Sequence, residues 1–182
     1  MFKSYLELLD RLDAFGRVIK ARHGDRFFCT AGCGKCCVTG ITLWQIEYDR
    51  IKKYLNDNPI DTIKKRPEKC AFLKDDETCA IYTVRPMICR MWGLPLLINS
   101  DDANSDDAAD AAAIDRTGLG STVKHSPEKT LMSCELNFVG TLETLPKEDI
   151  LNAWLVRTTL AAINHVYCKK TSQDPFVRLE LN

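Results

Sequence analysis

A chain of 182 residues is long enough for one ordinary domain with a real apolar core, so its nine cysteines need not stand in for missing hydrophobic burial. The 25 basic and 25 acidic residues balance, which excludes the concentrated basic stripe of a nucleic-acid binder, and no apolar run reaches the length of a membrane span. Cysteine is about one residue in twenty and odd in number, which argues against a pure disulfide scaffold.

In chain order, Phe2, Tyr5, Leu9, Leu12, Phe15 and Ile19 recur at three- and four-residue steps and predict an amphipathic packing helix over residues 2–20. Glu7, Asp10 and Asp13 would interrupt the apolar core of a signal peptide, and no small-residue cleavage site follows. The expected compartment is the cytoplasm, where disulfides are rare and clustered thiols are more often metal ligands.

Next comes Cys29-Thr-Ala-Gly-Cys33-Gly-Lys-Cys36-Cys37, a density of soft ligands that points to a metal or an iron-sulfur cluster. Neighbouring side chains usually point apart, so Cys36 and Cys37 are expected to face different atoms. A polynuclear cluster, two separate sites, or one ligand beside a packed or redox-active thiol each satisfies that constraint. Thr42 and Gln45 form a candidate capping box, with Ile41 and Ile46 as its hydrophobic staple. They start a second helix at Leu43, which Asn56-Asp57-Asn58-Pro59 stops. The amino end of that helix, close to Cys37, is expected to lower the thiolate pKa values.

The stretch from Cys70 to Tyr82 reads as a hairpin turning at Asp75 and Asp76, pairing Leu73 with Thr78, Phe72 with Cys79 and Cys70 with Ile81. Pro86 opens a short helix that carries Cys89 and Arg90. Residues 99–129 turn to Asp, Ala, Ser and Gly and read as an acidic surface insertion, with residues 107–114 the part able to become helical. Asp102, Asn104 and Asp106 fit the first ligands of a calcium loop, but Asp107 replaces its glycine and Ala113 its glutamate, so calcium is rejected. Pro146, Glu148 and Asp149 then open a long helix over residues 146–170. His165 and Cys168 on it are read as packed or exposed rather than as a ligand pair.

The expected fold is thus mainly α with a small β-hairpin, a compact single domain (1–182) organised around a cysteine-ligated metal or cluster site. Cys33, Cys36, Cys70, Cys79 and Cys89 rank first as ligands, Cys37 and Cys29 next, then Cys134 as an eighth. Seven clustered cysteines exceed the four of a simple zinc site or a single all-cysteine cluster. Lys35 and Arg90 are candidates for balancing thiolate charge.

The group CxxxCGKCC followed by CAFLKDDETCAIYTVRPMICR resembles the YkgJ-type cysteine-cluster proteins, a zinc- or iron-chelating domain also found in flagellin lysine N-methylases. Cys29, Cys33, Cys36, Cys37, Cys70, Cys79 and Cys89 match that pattern one by one, as do Arg85, Pro86 and Arg90. The likeness covers residues 27–92, and its one departure is a first spacing of three residues where the family has two, through Gly32. It implies a [4Fe-4S] cluster first and zinc second. The functional expectation is a cytoplasmic iron-sulfur protein serving redox, sensing or protein modification, with a protein partner and neither nucleic acid nor membrane. A zinc-stabilised binding module is the alternative, a part in a lysine N-methylase system the third reading, and thiol-disulfide exchange the last. No catalytic residue is assigned.

Overall fold

The computed structural model describes residues 1–60, 63, 66–99, 120–126, 129–175 and 179–180. Four helices, α1 (Lys3–Arg22), α2 (Gln45–Asp57), α3 (Met87–Met91) and α4 (Ala153–Thr171), pack with a four-stranded sheet. Its strands are β2 (Leu96–Asn99), β3 (Gly120–Ser126), β4 (Lys129–Cys134) and the two-residue β5 (Leu151–Asn152), in the order β3-β4-β2-β5. β4 runs antiparallel to both neighbours, while β2 and β5 are parallel. A separate antiparallel pair joins β1 (Thr42–Leu43) to β6 (Leu179–Glu180). The fold is therefore mixed α and β rather than mainly α. Among the described residues no helix is long and apolar enough to cross a membrane.

The apolar stripe of α1 buries Tyr5, Leu9, Leu12 and Ile19 against Leu96 and Leu131 of the sheet and Val156 and Leu160 of α4. A second, smaller core gathers Ile41, Leu43, Ile51, Ile81, Val84 and Ile88, and Cys70, Cys79 and Cys89 pack on its edge. The cysteine region thus has apolar support of its own. Each buried Leu or Ile in such a core is worth about 1.5–3 kcal/mol.

Glu47 joins the cysteine region to the main core. Its buried carboxylate accepts hydrogen bonds from Tyr5 Oη of α1 (3.2 Å), from the Met87 amide that opens α3 (2.9 Å) and from the Trp44 amide at the start of α2 (3.1 Å). Burial, together with the Glu47 charge, pushes the Tyr5 hydroxyl well above its usual range, so it stays a donor. Glu47 also corrects the expected start of α2. The capping carboxylate is Glu47 and not Gln45, the helix opens at Gln45, and Thr42 and Leu43 are drawn into a strand. An indole has no acceptor, so the Trp44 side chain cannot accept the reciprocal bond of a capping box.

Three further expectations are revised. The turn after Cys70 is one residue longer than the hairpin reading: Leu73 pairs with Cys79, the Lys74 amide bonds the Thr78 carbonyl (2.9 Å), and Glu77 takes a left-handed conformation. Of the stretch assigned to the surface insertion, Asn99 ends β2, residues 120–126 are β3 paired along β4, and Lys129 begins β4; the rest, including the helix expected at 107–114, lies outside the described residues. The last helix begins at Ala153 instead of residue 146, because Asp149 is buried and held by Arg22 and by His23 Nε2 (2.7 Å) at the end of α1. Burial alone would raise its carboxyl; the His23 and Arg22 hydrogen bonds outweigh that and bring it below the ordinary carboxylate range. Asn152 then caps α4 through the Leu155 amide (3.0 Å).

Replacing Glu47 with alanine strands the buried Tyr5 hydroxyl and the Met87 amide. The expected loss is about 2–3 kcal/mol in urea unfolding; a midpoint within error of wild type would show that the carboxylate does not hold these helices together.

Candidate metal centre

The cysteines reach one place from four separate stretches of chain, and the backbone uses one local device to present several of them. The carbonyls of Cys70, Cys79 and Cys134 each accept the amide three residues on, from Leu73 (3.0 Å), Tyr82 (3.2 Å) and Asn137 (2.9 Å). Their sulfurs accept the amide two residues on, from Phe72, Ile81 and Leu136. Such a turn aims the sulfur inward and supplies a donor that favours a thiolate. Two similar turns close the first group, Cys33 on Thr30 and Cys37 on Gly34 (both 3.2 Å), and the Cys70 amide bonds the Cys37 carbonyl (3.1 Å), tying the first group to the second.

Cys29, Cys33, Cys36, Cys37, Cys70, Cys79, Cys89 and Cys134 all line a single cavity of about 600 Å³. Every residue of the expected ligand set is therefore in it, including the eighth. Cys168 is not: it is fully buried in the main core against Asn164, and His165 is exposed. All nine cysteines are unpaired.

The charges acting on each thiol sort them into two sets. Cys70, Cys37 and Cys79 act on Cys89, whereas Cys134 and Cys33 act on Cys29; Cys36 feels Cys37 most, then Cys89 and Cys29, and so joins the two sets. Burial raises the thiols of Cys29, Cys79, Cys89 and Cys134 and pushes Cys70 up to about 11. The expected lowering by the start of α2 does not dominate. Only Cys37 moves down, to about 7, and the main cause is a hydrogen bond from the Cys36 thiol, which is itself raised. The two neighbouring thiols are thus electrostatically linked.

Cation assignments change as well. Arg90 is engaged by Asp13 and by the carbonyls of Thr83 (3.0 Å) and Arg85 (3.2 Å), so it fixes the loop before α3. Lys35 lies 3.5 Å from Glu135, linking the first cysteine group to the Cys134 turn. Of the cations around the cavity Arg85 acts on the most thiols: its charge favours the thiolates of Cys29, Cys37, Cys79 and Cys89, while Lys69 also favours Cys37 and Lys35 favours Cys134, as expected of it; the Arg85 guanidinium lies 4.2 Å from the Tyr82 ring centre. Among the described residues, its buried Nε has no hydrogen-bond partner.

The extra residue in the first spacing leaves Cys29 in the cavity. Gly32 takes a left-handed conformation (φ 86°) in open space, so the turn absorbs the insertion outward. On the far side the Cys29 sulfur sits in a notch made by Gly93 (φ 98°), where any Cβ would overlap it and would stand 3.1 Å from Asn137 Nδ2. Gly93 and Asn137 have no sequence signature; their roles follow only from the approach of distant segments.

The donor set fits a thiophilic metal in kind, with eight soft ligands, a nearby cation and turn amides aimed at sulfur. Among the described residues, no three Cys, His, Asp or Glu side chains already stand together as a metal-binding group. A metal held by these thiols would therefore have to draw the sulfurs together and displace the protons that burial keeps on them.

Because its pKa is lowered, Cys37 is a thiolate above about pH 7. Iodoacetamide labelling of the metal-free protein, mapped by mass spectrometry, is expected to rise through neutral pH and level off at Cys37, while Cys70 keeps gaining into the alkaline range. Equal labelling of both at neutral pH would contradict the Cys36–Cys37 bond. Gly93→Ala is expected to cost about 1–3 kcal/mol from backbone strain alone, with further loss from the collision with Cys29; unchanged urea stability would refute the notch.

Residues 28–108 match the family model described as "CxxCxxCC: Putative zinc- or iron-chelating domain". No curated protein and no solved structure matches the chain. The match takes in seven of the eight cavity cysteines and stops short of Cys134 and Asn137. Over residues 28–108, a little under half of its length, the chain is thus similar to this cysteine-cluster family of zinc- or iron-chelating domains.

Proposed function

We propose that the protein holds a thiolate-ligated iron-sulfur cluster, of the [4Fe-4S] type, and works in electron transfer, redox sensing or support of protein modification. The observation that carries this reading is the convergence of eight unpaired thiols on one cavity, enough for a four-cysteine cluster with thiols to spare. Cys37, Cys70, Cys79 and Cys89 form the set we assign to the cluster, because each acts on Cys89 or is Cys89 itself. A cluster bound there would supply one-electron chemistry. The chain's own part is to hold the sulfurs in turns, to balance their charge with Arg85, and to limit water through Ile81, Trp92 and Leu94 on the cavity wall.

The division of the thiols into two sets favours a second reading. Cys29, Cys33, Cys36 and Cys134 would take one zinc ion, and the remaining four another, giving a module that zinc holds in shape for binding a protein. The exposed Trp154, Leu155 and Val166 of α4 would suit such a protein partner. Unpaired thiols agree with a cytoplasmic setting for either reading. A lysine N-methylase connection rests on the family likeness alone, and Gly32 and Gly34 serve cysteine turns rather than a nucleotide-binding loop.

Metal and acid-labile sulfide analysis with a visible spectrum, on protein purified without oxygen, separates these readings. Iron with sulfide and broad absorption is expected. Two zinc ions per chain without colour would replace the cluster by the two-site module, and protein that takes up neither metal would end both.

A further inference from the structure

Asn137 lies in the turn after β4, outside the segment that matches the family, and is fully buried. Every polar atom of its side chain is used. Oδ1 accepts the Phe28 amide (2.9 Å), while Nδ2 donates to the Gly93 carbonyl (2.7 Å) and to the Cys29 sulfur (3.2 Å). These partners fix the amide orientation, since a flipped side chain would face the Phe28 donor with its own donor and the Gly93 carbonyl with its own acceptor. Its backbone is equally committed: the amide closes the Cys134 turn (2.9 Å), and the carbonyl accepts the Ser133 hydroxyl (3.1 Å). One residue therefore joins the segment carrying Cys29, the backbone at Gly93 four residues beyond Cys89, and the turn presenting Cys134.

We propose that Asn137 is a positioning residue of the metal centre, holding the Cys29 sulfur as a ligand by a side-chain hydrogen bond and locking the Cys134 turn against it. The inference rests on the reading of the cavity as a metal centre in which the set around Cys29, distinct from the four thiols assigned to the cluster, also holds a metal. Two features set Asn137 apart from an ordinary core amide. It places a donor on a sulfur that Gly93 has been kept bare to admit, and its other bonds leave it no freedom to turn away. An amide donor serves this purpose better than a carboxylate, because it can approach a thiolate without repulsion and lets the sulfur keep lone pairs for a metal. The site is then completed by a turn that follows the sheet, and the spacing of the first cysteine group does not decide by itself whether Cys29 can serve.

The test uses Co²⁺ as the probe, titrated anaerobically into the metal-free full chain and read by thiolate-to-cobalt charge-transfer absorption. Asn137→Ala, Cys29→Ser and the double variant form a cycle, with Asn137→Asp as a second substitution that preserves size and the Phe28 bond while turning the donor into an acceptor. Far-UV circular dichroism confirms that each variant is folded. Asn137→Ala is expected to weaken Co²⁺ binding about 10- to 100-fold and to shift the charge-transfer band, with Asn137→Asp at least as damaging. In the Cys29→Ser background the same substitutions should change binding by no more than about twofold. Equal losses in both backgrounds, or no loss in either Asn137 variant, would overturn the positioning role while leaving the metal centre standing. Wild-type protein that shows no charge-transfer absorption with Co²⁺ would remove the metal reading, and this inference with it.

Discussion

The carboxylate of Glu47 is the constraint from which the arrangement of the cavity follows. A buried acid is costly unless its oxygens are bonded, and this one is bonded by three donors, from α1, from α3 and from the residue that precedes α2. The Met87 amide among them opens α3, a helix of five residues that could not persist alone. Since α3 carries Cys89, the position of that ligand candidate is set from α1 and α2 and not by local helix stability. Arg90, the next residue, adds a second tether to α1 through Asp13.

The other thiols are placed differently, by turns. At Cys70, Cys79 and Cys134 the carbonyl and the sulfur each take an amide from the residues just ahead, so the backbone is satisfied locally and the sulfur is already oriented. Burial keeps these thiols protonated in the metal-free chain, and neutral thiols can be crowded without mutual repulsion. The cavity can therefore form before metal arrives. Metal binding there would exchange several protons for positive charge, coupling affinity to pH and stability to occupancy.

Much of this was legible in the residues. The cysteine pattern picked out thiols that line one cavity, because residues presented from short turns leave their spacing in the chain, and the stripe from Tyr5 to Ile19 identified α1, because helical burial has a fixed period. The sheet was not legible. β5 has two residues, β2 has four, and β3 sits at the end of a segment whose composition is that of a loop; pairing with β4 is what makes it a strand. The starts of α2 and α4 were missed for one shared reason. Glu47 and Asp149 look like surface acids in sequence, yet each is buried by partners far along the chain: Tyr5 lies 42 residues before Glu47, and His23 lies 126 before Asp149.

The same reasoning explains why an inserted residue between the first two cysteines is tolerated. In a site defined only by local spacing, Gly32 would displace Cys29 from its neighbours. Here the sulfur is located from the opposite side, by the bare backbone at Gly93 and the amide of Asn137, and the intervening loop has only to reach. Gly32 meets that demand with a left-handed turn whose Cβ position faces open space. The two anchors belong to segments separated by 44 residues, so the position of Cys29 depends on the folding of the sheet between them. This part of the cavity is thus a product of tertiary structure, whereas the turns at Cys70 and Cys79 are formed largely by their own neighbours. Loosening of the sheet should accordingly release Cys29 and Cys134 together before it disturbs the set around Cys89.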